Sequence, residues 1–262
     1  MRGRSQQADA ARIGVLSPLS ASETTSAPFE AFRKALRDLG YIEGKRINFI
    51  YRWADGDHER LAELAADLAS SKVDVIFSAP GTPTAIAARN ATTVIPIVFA
   101  GAGDVVATGL VESLARPAGN ATGLVNESQD PAGKQLELLI EAVPTVSQVG
   151  AFWRPSNPSY KNLLSRFDAV VRATGVKVVL IDVERRADLE PAFETMKTSR
   201  IDGLLVQADD LFINEGTRII DAGRSVPTTY NLPARVPSNS GRADGVRSKH
   251  PGYVSTGRLL RS

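Results

Sequence analysis

Cysteine is absent from this sequence of 262 residues, which removes disulfides, thiolate metal sites and a cysteine nucleophile together. Histidine occurs only twice, at His58 and His250. Neither has a ligand-spaced companion, so a histidine metal site and a histidine-based triad both lack their parts. No metal and no cofactor is therefore expected. No apolar run nears the roughly 20 residues that cross a bilayer. Charge of one sign is not in excess either: 31 basic against 29 acidic residues leaves a net charge of +2. That balance gives no reason to expect nucleic acid or an anionic membrane surface as partner. The sequence also has no P-loop and no G-x-S-x-G elbow, and the loop after its first apolar run, SPLSASETT, has no G-x-G-x-x-G. Met1–Ala11 is polar and has no apolar core of a secretory signal, so taken literally the chain stays in the cytoplasm.

What remains is the composition of a soluble globular protein, 43% hydrophobic and 23% charged, without a low-complexity tract. Apolar runs alternate with amphipathic stretches of helical period. Strands are expected at 12–16, 47–53, 73–78, 95–100, 121–125, 149–153, 177–183, 201–207 and 227–230. Helices are expected at 27–39, 59–71, 82–91, 105–115, 132–142, 160–174, 188–199 and 214–223. Strands separated by single helices imply parallel crossovers and hence an α/β fold with doubly wound sheets. Nine strands fit two sheets of four or five better than one very wide sheet. The Pro/Gly segment Arg116–Asn120 is the natural seam. The expected division is a terminal stretch 1–11, a first lobe 12–118, a second lobe 119–231 and an irregular tail 232–262.

In open α/β sheets ligands sit beyond the carboxyl ends of the strands, where helix N-termini present free N–H groups. The candidate residues come from those loops: Ser17, Ser78, Thr82 and Asp104 in the first lobe, and Asn126, Asn157 and Asp209 in the second. The segment Ser78-Ala-Pro-Gly-Thr82 is the most informative, because a loop of small residues entering a helix suits a carboxylate or another small anion. Its plainer reading makes Gly81 and Pro83 the shapers of a turn and Thr82 a helix cap. Asp104 and the pair Asp209/Asp210 are placed to face a ligand ammonium, or else to cap helices. Trp153, Tyr160 and Tyr230 offer rings for stacking but more often pack a core, and Arg52 and Trp53 read as a structural strand exit.

Several longer segments resemble the substrate-binding proteins of ABC transporters, of the tryptophan or aromatic-amino-acid-binding type. They are RIGVLSP, FRKALRDLGYIEGKRINFIYRWADG, LAELAADLASSKVDVIFSAPGTPTAIAARNATTVIPIVFA, GDVVATGLVESLARPAGNATG, KQLELLIEAVP and WRPSNPS. The likeness runs from about Arg12 to Asn231. It implies a type I periplasmic-binding-protein fold, two lobes around a cleft that closes over a small organic molecule such as an amino acid or related carboxylate. It further implies delivery to ABC permease subunits in the membrane, a periplasmic location and no catalysis. The candidate residues above carry over as loop positions. Two rival functions remain at this stage: a doubly wound enzyme using Asp104 or Asp209 as acid or base, and the effector-binding domain of a regulator. No helix-turn-helix segment precedes Arg12 to support the regulator.

Both ends depart from the family pattern. Arg4-Ser-Gln-Gln7 resembles the end of an export signal, so either the start lies downstream of the true one or the signal has been lost. After the last strand, family members continue with Gly-Gly-Leu-Met-x-Tyr-Gly and a helix returning to the first lobe. Here GRADGVRSKHPGYVSTGR stands instead. Codons permitted for residues 241–246, read one nucleotide later, restore the family segment, so a frameshift beginning near Pro233 is expected. The return segment is then altered or missing, and apolar surface on the first lobe is left uncovered.

Overall fold

The computed structural model describes residues 10–22, 27–126, 131–223 and 228–230. The terminal stretch 1–9, the tail from 231 onward with His250, and the loop residues Thr24, Glu127 and Ser128 lie outside the described residues.

Two parallel sheets carry the fold. The first contains β1 (Ala11–Ser17), β2 (Ile47–Trp53), β3 (Val75–Ser78), β4 (Ile97–Ala102) and β5 (Ala121–Val125), in the order β2-β1-β3-β4-β5. The second contains β6 (Gln148–Trp153), β7 (Lys177–Asp182), β8 (Gly203–Val206) and β9 (Thr228–Tyr230), in the order β7-β6-β8-β9. Every pairing is parallel, and the strands read as near-continuous apolar runs because both faces of each sheet carry helices.

In the first unit α2 (Leu61–Ser70) and α3 (Thr82–Ala91) cover one face, burying Leu61, Leu68, Ala85 and Ala88 against Leu16, Ile76, Ile97 and Phe99. On the other face α1 (Ala27–Asp38) sets Phe29, Phe32 and Leu36 over Ile13, Val15 and Phe77, with Phe32 stacked on Phe77 at 4.2 Å between ring centres. That cover stops short. Val98 pairs in register with Phe77, and Leu124 with Ala100, on this same face. Yet Val98 is 39% and Leu124 74% exposed.

In the second unit α4 (Pro131–Ala142) and α5 (Asp168–Thr174) pack on one face with Leu136, Leu139, Val149, Ala151 and Leu205. The opposite face carries α6 (Leu189–Thr198), α7 (Asp210–Asn214) and α8 (Gly216–Ala222), which bury Leu189, Met196, Phe212 and Ile219 against Phe152, Leu204 and Val206.

Four expectations change. The compact units divide between residues 127 and 128, not 118 and 119. The Pro/Gly turn at 116–120 leads into β5, which pairs with β4 and so completes the first sheet. Residues 105–115 form turns instead of a helix. Asp104 and Gly109 on either side of the would-be first turn take positive φ of 49° and 72°, a conformation no right-handed helix accommodates. The helix expected at 160–174 keeps only its last half, α5, after two short 3₁₀ turns, and Tyr160 at its intended start is held by a hydrogen bond from its hydroxyl to the Ala208 carbonyl. Finally, Ala11 belongs to the sheet: its N–H donates to the Arg46 carbonyl at 2.9 Å, and the N–H of Arg12 to the Asp74 carboxylate at 2.7 Å.

Candidate functional site

Each sheet has one place where strand order reverses, between β1 and β3 in the first and between β6 and β8 in the second. Loops leaving adjacent strands at such a point diverge to opposite faces and open a crevice at the carboxyl edge. Ser17 and Ser78 end the strands at the first of these places and Asn157 and Asp209 follow the strands at the second, whereas Asp104 and Asn126 follow β4 and β5.

In the first unit Leu16 pairs with Ser78, so Ser17 and Ser78 end neighbouring strands. Both are buried. The Ser17 hydroxyl accepts from the Leu19 N–H at 3.3 Å. Ser78 is 0% exposed and its hydroxyl has no hydrogen-bond partner. Three residues further on, Gly81 at φ 93° turns the chain into α3, a backbone conformation that only glycine takes at low cost. The first turn of a helix holds N–H groups without intrahelical acceptors and the positive end of its dipole.

The N-cap residue of α3 is Gly81, not Thr82. The Thr82 hydroxyl instead donates to the Gly103 carbonyl at 2.9 Å and accepts from the Gly103 N–H at 2.8 Å. That reciprocal pair ties the β3 loop to the β4 loop. Asn126 joins from the end of β5: its backbone N–H donates to the Ala102 carbonyl at 2.8 Å and its side-chain amide to the Gly101 carbonyl at 3.5 Å. A Cβ added at Gly101 would meet Pro80, Gly81 and Asn126 at ordinary contact distances of 3.7–3.8 Å. Thr82 and Asn126 thus both hold the loop after β4, with Ser78 four residues before Thr82 and exposed Asp104 directly beyond Gly103.

In the second unit Asn157 and Asp209, 52 residues apart, meet: the Asn157 amide donates to the Asp209 carboxylate at 2.8 Å. The other Asp209 oxygen accepts from the Leu211 N–H at 3.0 Å and faces Arg154 Nη2 at 3.0 Å. Asp209 therefore caps α7, the plainer of its two expected roles. Arg154 also faces Asp210 at 3.8 Å. Arg154 is 1% exposed, which makes this a buried ionic cluster, two carboxylates against one guanidinium. Burial, with Asp210 beside it, pushes the Asp209 carboxyl up to about 6 against the opposing pull of Arg154, Asn157 and Leu211. Burial likewise raises the Tyr160 hydroxyl well above its usual value, reinforced by the two aspartates. With both carboxylate oxygens engaged by protein donors and its side chain closed to solvent, Asp209 is poorly placed as a general base or as a free counter-charge.

The remaining candidates have structural occupations. Arg52 pairs with Asp67, Trp53 stacks on Tyr51 at 5.1 Å, and the Trp153 indole N–H donates to Asp182 at 2.8 Å. Among the described residues no three acidic or histidine side chains gather as a metal site, and no helix is long and apolar enough to cross a membrane.

Sequence reasoning missed Arg154, Gln207 and Gln135, all buried. The available signal was position: Arg154 directly follows the apolar strand QVGAFW and Gln207 directly follows GLLV, where a polar side chain is carried to the carboxyl edge with no room to reach solvent.

Residues 12–233 match the profile of the ABC transporter substrate binding protein family. The chain belongs to that family. A tyrosine-binding protein of Clostridioides difficile (strain R20291) is 30% identical over 185 residues, 71% of this chain and 52% of the relative. The chain thus spans about half the length of that curated relative. Among solved structures, a conserved domain protein from Vibrio cholerae is 26% identical, with a TM-score of 0.72 over 85% of this chain and 74% of that one. The ABC domain of Streptococcus pneumoniae in complex with L-Trp is 24% identical, with a TM-score of 0.71 over the same shares. The fold of this family member is that of the type I periplasmic binding proteins, as its sequence motifs implied.

Proposed function

We propose that the chain is the solute receptor of an ABC uptake system, working outside the cytoplasmic membrane and handing a small organic carboxylate to membrane permease subunits. The observation that supports this most is Ser78. A hydroxyl with no partner, wholly buried four residues before the first residue of α3, is costly to keep unless something else completes its hydrogen bonding. A carboxylate is suited to the place, accepting from the hydroxyl and from N–H groups of the first helical turn. Thr82, Asn126 and Gly101 hold the surrounding loops, Ser17 closes the neighbouring strand, and Asp104 stands at the exposed margin. In the second unit the Arg154–Asp209–Asn157 cluster fixes the loops after β6 and β8, so that Asn157 and Asp209 act by positioning. The likeness to a tyrosine-binding protein makes an aromatic amino acid the first solute to try.

The test is calorimetry of the full chain with L-tyrosine, L-phenylalanine, L-tryptophan, L-leucine and benzoate, comparing the native protein with Ser78→Ala. Loss of a hydrogen bond to a charged group is worth about 1.5–3 kcal/mol, roughly a 10- to 150-fold weaker Kd. Fold stability should hold or rise, since the variant removes an unsatisfied buried hydroxyl. A native chain that binds none of these solutes, or a variant that binds as tightly as the native chain, would overturn the proposal.

A further inference from the structure

The segment KQLELL at 134–139 contains a residue that the site above leaves unused. Gln135 in α4 is 0% exposed, and neither its amide oxygen nor its amide nitrogen has a hydrogen-bond partner. A carboxamide left unsatisfied at both ends is a costly thing to bury, more so than an apolar residue of the same shape. Gln207, just past β8, is also buried with its amide nitrogen unpartnered.

The fold brings these two side chains to one region. Along β8, Leu204 and Val206 enter the cluster under α6 and α7, whereas Leu205 enters the cluster under α4. Strand alternation continues Gln207 on the α4 side. Leu139 of α4 packs beside Gly203 at the start of β8, 3.1 Å from where a Cβ would stand. Gln135 lies one turn earlier, and helical side chains lean toward the N-terminus, here toward the carboxyl end of β8. Tyr160 of the surrounding cluster already donates its hydroxyl to the Ala208 carbonyl. Arg154, Asp209 and Asp210, among the charges that act on that hydroxyl, already face one another. A small neutral group that both donates and accepts would complete both amides.

We propose that Gln135 and Gln207 form a buried subsite that holds an uncharged hydroxyl oxygen, brought by the bound solute or supplied by a trapped water molecule. The solute source rests on the receptor function proposed above; the water source does not. Both are read in one experiment on the full chain with Gln135→Leu and the closer-fitting Gln135→Met. Thermal melts are recorded without ligand, and Kd is measured for L-tyrosine and L-phenylalanine, which differ by one hydroxyl.

If the solute supplies the oxygen, the native chain prefers tyrosine by about tenfold or more, and both variants lose that preference while still binding phenylalanine. If water supplies it, both variants melt lower than the native chain, and any affinities change alike for the two amino acids. Failure of both variants to fold counts with the water arm, because an unsatisfied amide replaced by an apolar side chain should not cost the fold. Variants that melt at or above the native temperature with the tyrosine-to-phenylalanine ratio unchanged overturn the subsite. Should the native chain bind neither amino acid, the solute source is the arm that fails, and the melts still decide between a water-filled and a dry site.

Discussion

Replacing Arg154 by methionine isolates what the buried ionic cluster does. The guanidinium and the Asp209 carboxylate are 1% and 0% exposed and 3.0 Å apart, so their attraction at an effective dielectric of 20 is about 332/(20 × 3.0), or 5–6 kcal/mol. Most of that is offset by the cost of taking both ions out of water. Removing one partner is a different matter, because the remaining carboxylate must stay buried without its cation or take up a proton. With burial raising the native Asp209 carboxyl to about 6, a variant whose carboxyl stays protonated loses stability as pH rises above that point, by a few kcal/mol at pH 8. The sign follows from proton counting. Between about pH 6 and the still higher value in the variant, the folded variant holds one proton more than the folded native chain, so its relative stability falls as pH rises. Below about pH 6 both are protonated and the difference closes.

The assay has a built-in reporter, since one of the two tryptophans lies in each unit: Trp53 in the first and Trp153 in the second. In a Trp53→Phe background, urea unfolding followed by indole fluorescence reads the second unit. Arg154→Met should cost about 3 kcal/mol at pH 8 and under 1 kcal/mol at pH 5.5, and the double variant Arg154→Met/Asp209→Asn, which keeps an oxygen to cap α7 while removing the charge, should lose that pH dependence. A loss below about 1 kcal/mol at pH 8, or one of equal size at both pH values, would refute the reasoning.

Two further outcomes are expected. Thr82→Val removes a buried hydroxyl that serves Gly103 as both donor and acceptor, so it should destabilise the first unit by about 1–3 kcal/mol. Trp53 fluorescence in a Trp153→Phe background checks this. Leu124→Glu touches a side chain that is 74% exposed and should leave the urea midpoint within about 0.5 kcal/mol of native while lowering light scattering at high protein concentration, because it interrupts bare apolar surface on the first sheet.

The parts of this fold legible from sequence were those that local pattern dictates. Several of the parallel strands are apolar on both faces and so stand out as short runs such as VDVIFS or IPIVFA, whatever their partners turn out to be. Partnership itself was not legible. β5 opens the second round of the alternation in the sequence yet completes the first sheet, because register with β4, not sequence order, decides membership. The helix expected at 105–115 had the apolar spacing but not the backbone, with positive φ at Asp104 and Gly109 overriding period. The candidate residues divide the same way. Ser17, Ser78, Thr82, Asn126, Asn157 and Asp209 follow from the rule that loops at carboxyl edges carry polar groups. Arg154 becomes visible only when Asp209, 55 residues later, is folded against it. Gln135 sits in an ordinary helical stretch, where nothing local marks an amide that will be wholly enclosed.

The strand order also fixes a timetable for synthesis. β1 ends at Ser17, but it lies between β2 and β3, and β3 is not complete until Ser78. At about 5–20 residues per second, the 61 residues between those points take roughly 3–12 s to make. Through that interval the segment Ile13-Gly-Val-Leu16, buried once folded, has at most one neighbour. The second sheet repeats the situation, with β6 waiting from Trp153 to Val206 for its other flank. The nascent chain therefore exposes the interior strands β1 and β6 long before their second flank is made, which makes those strands the natural target of a holdase that follows the ribosome and of any aggregation that competes with it.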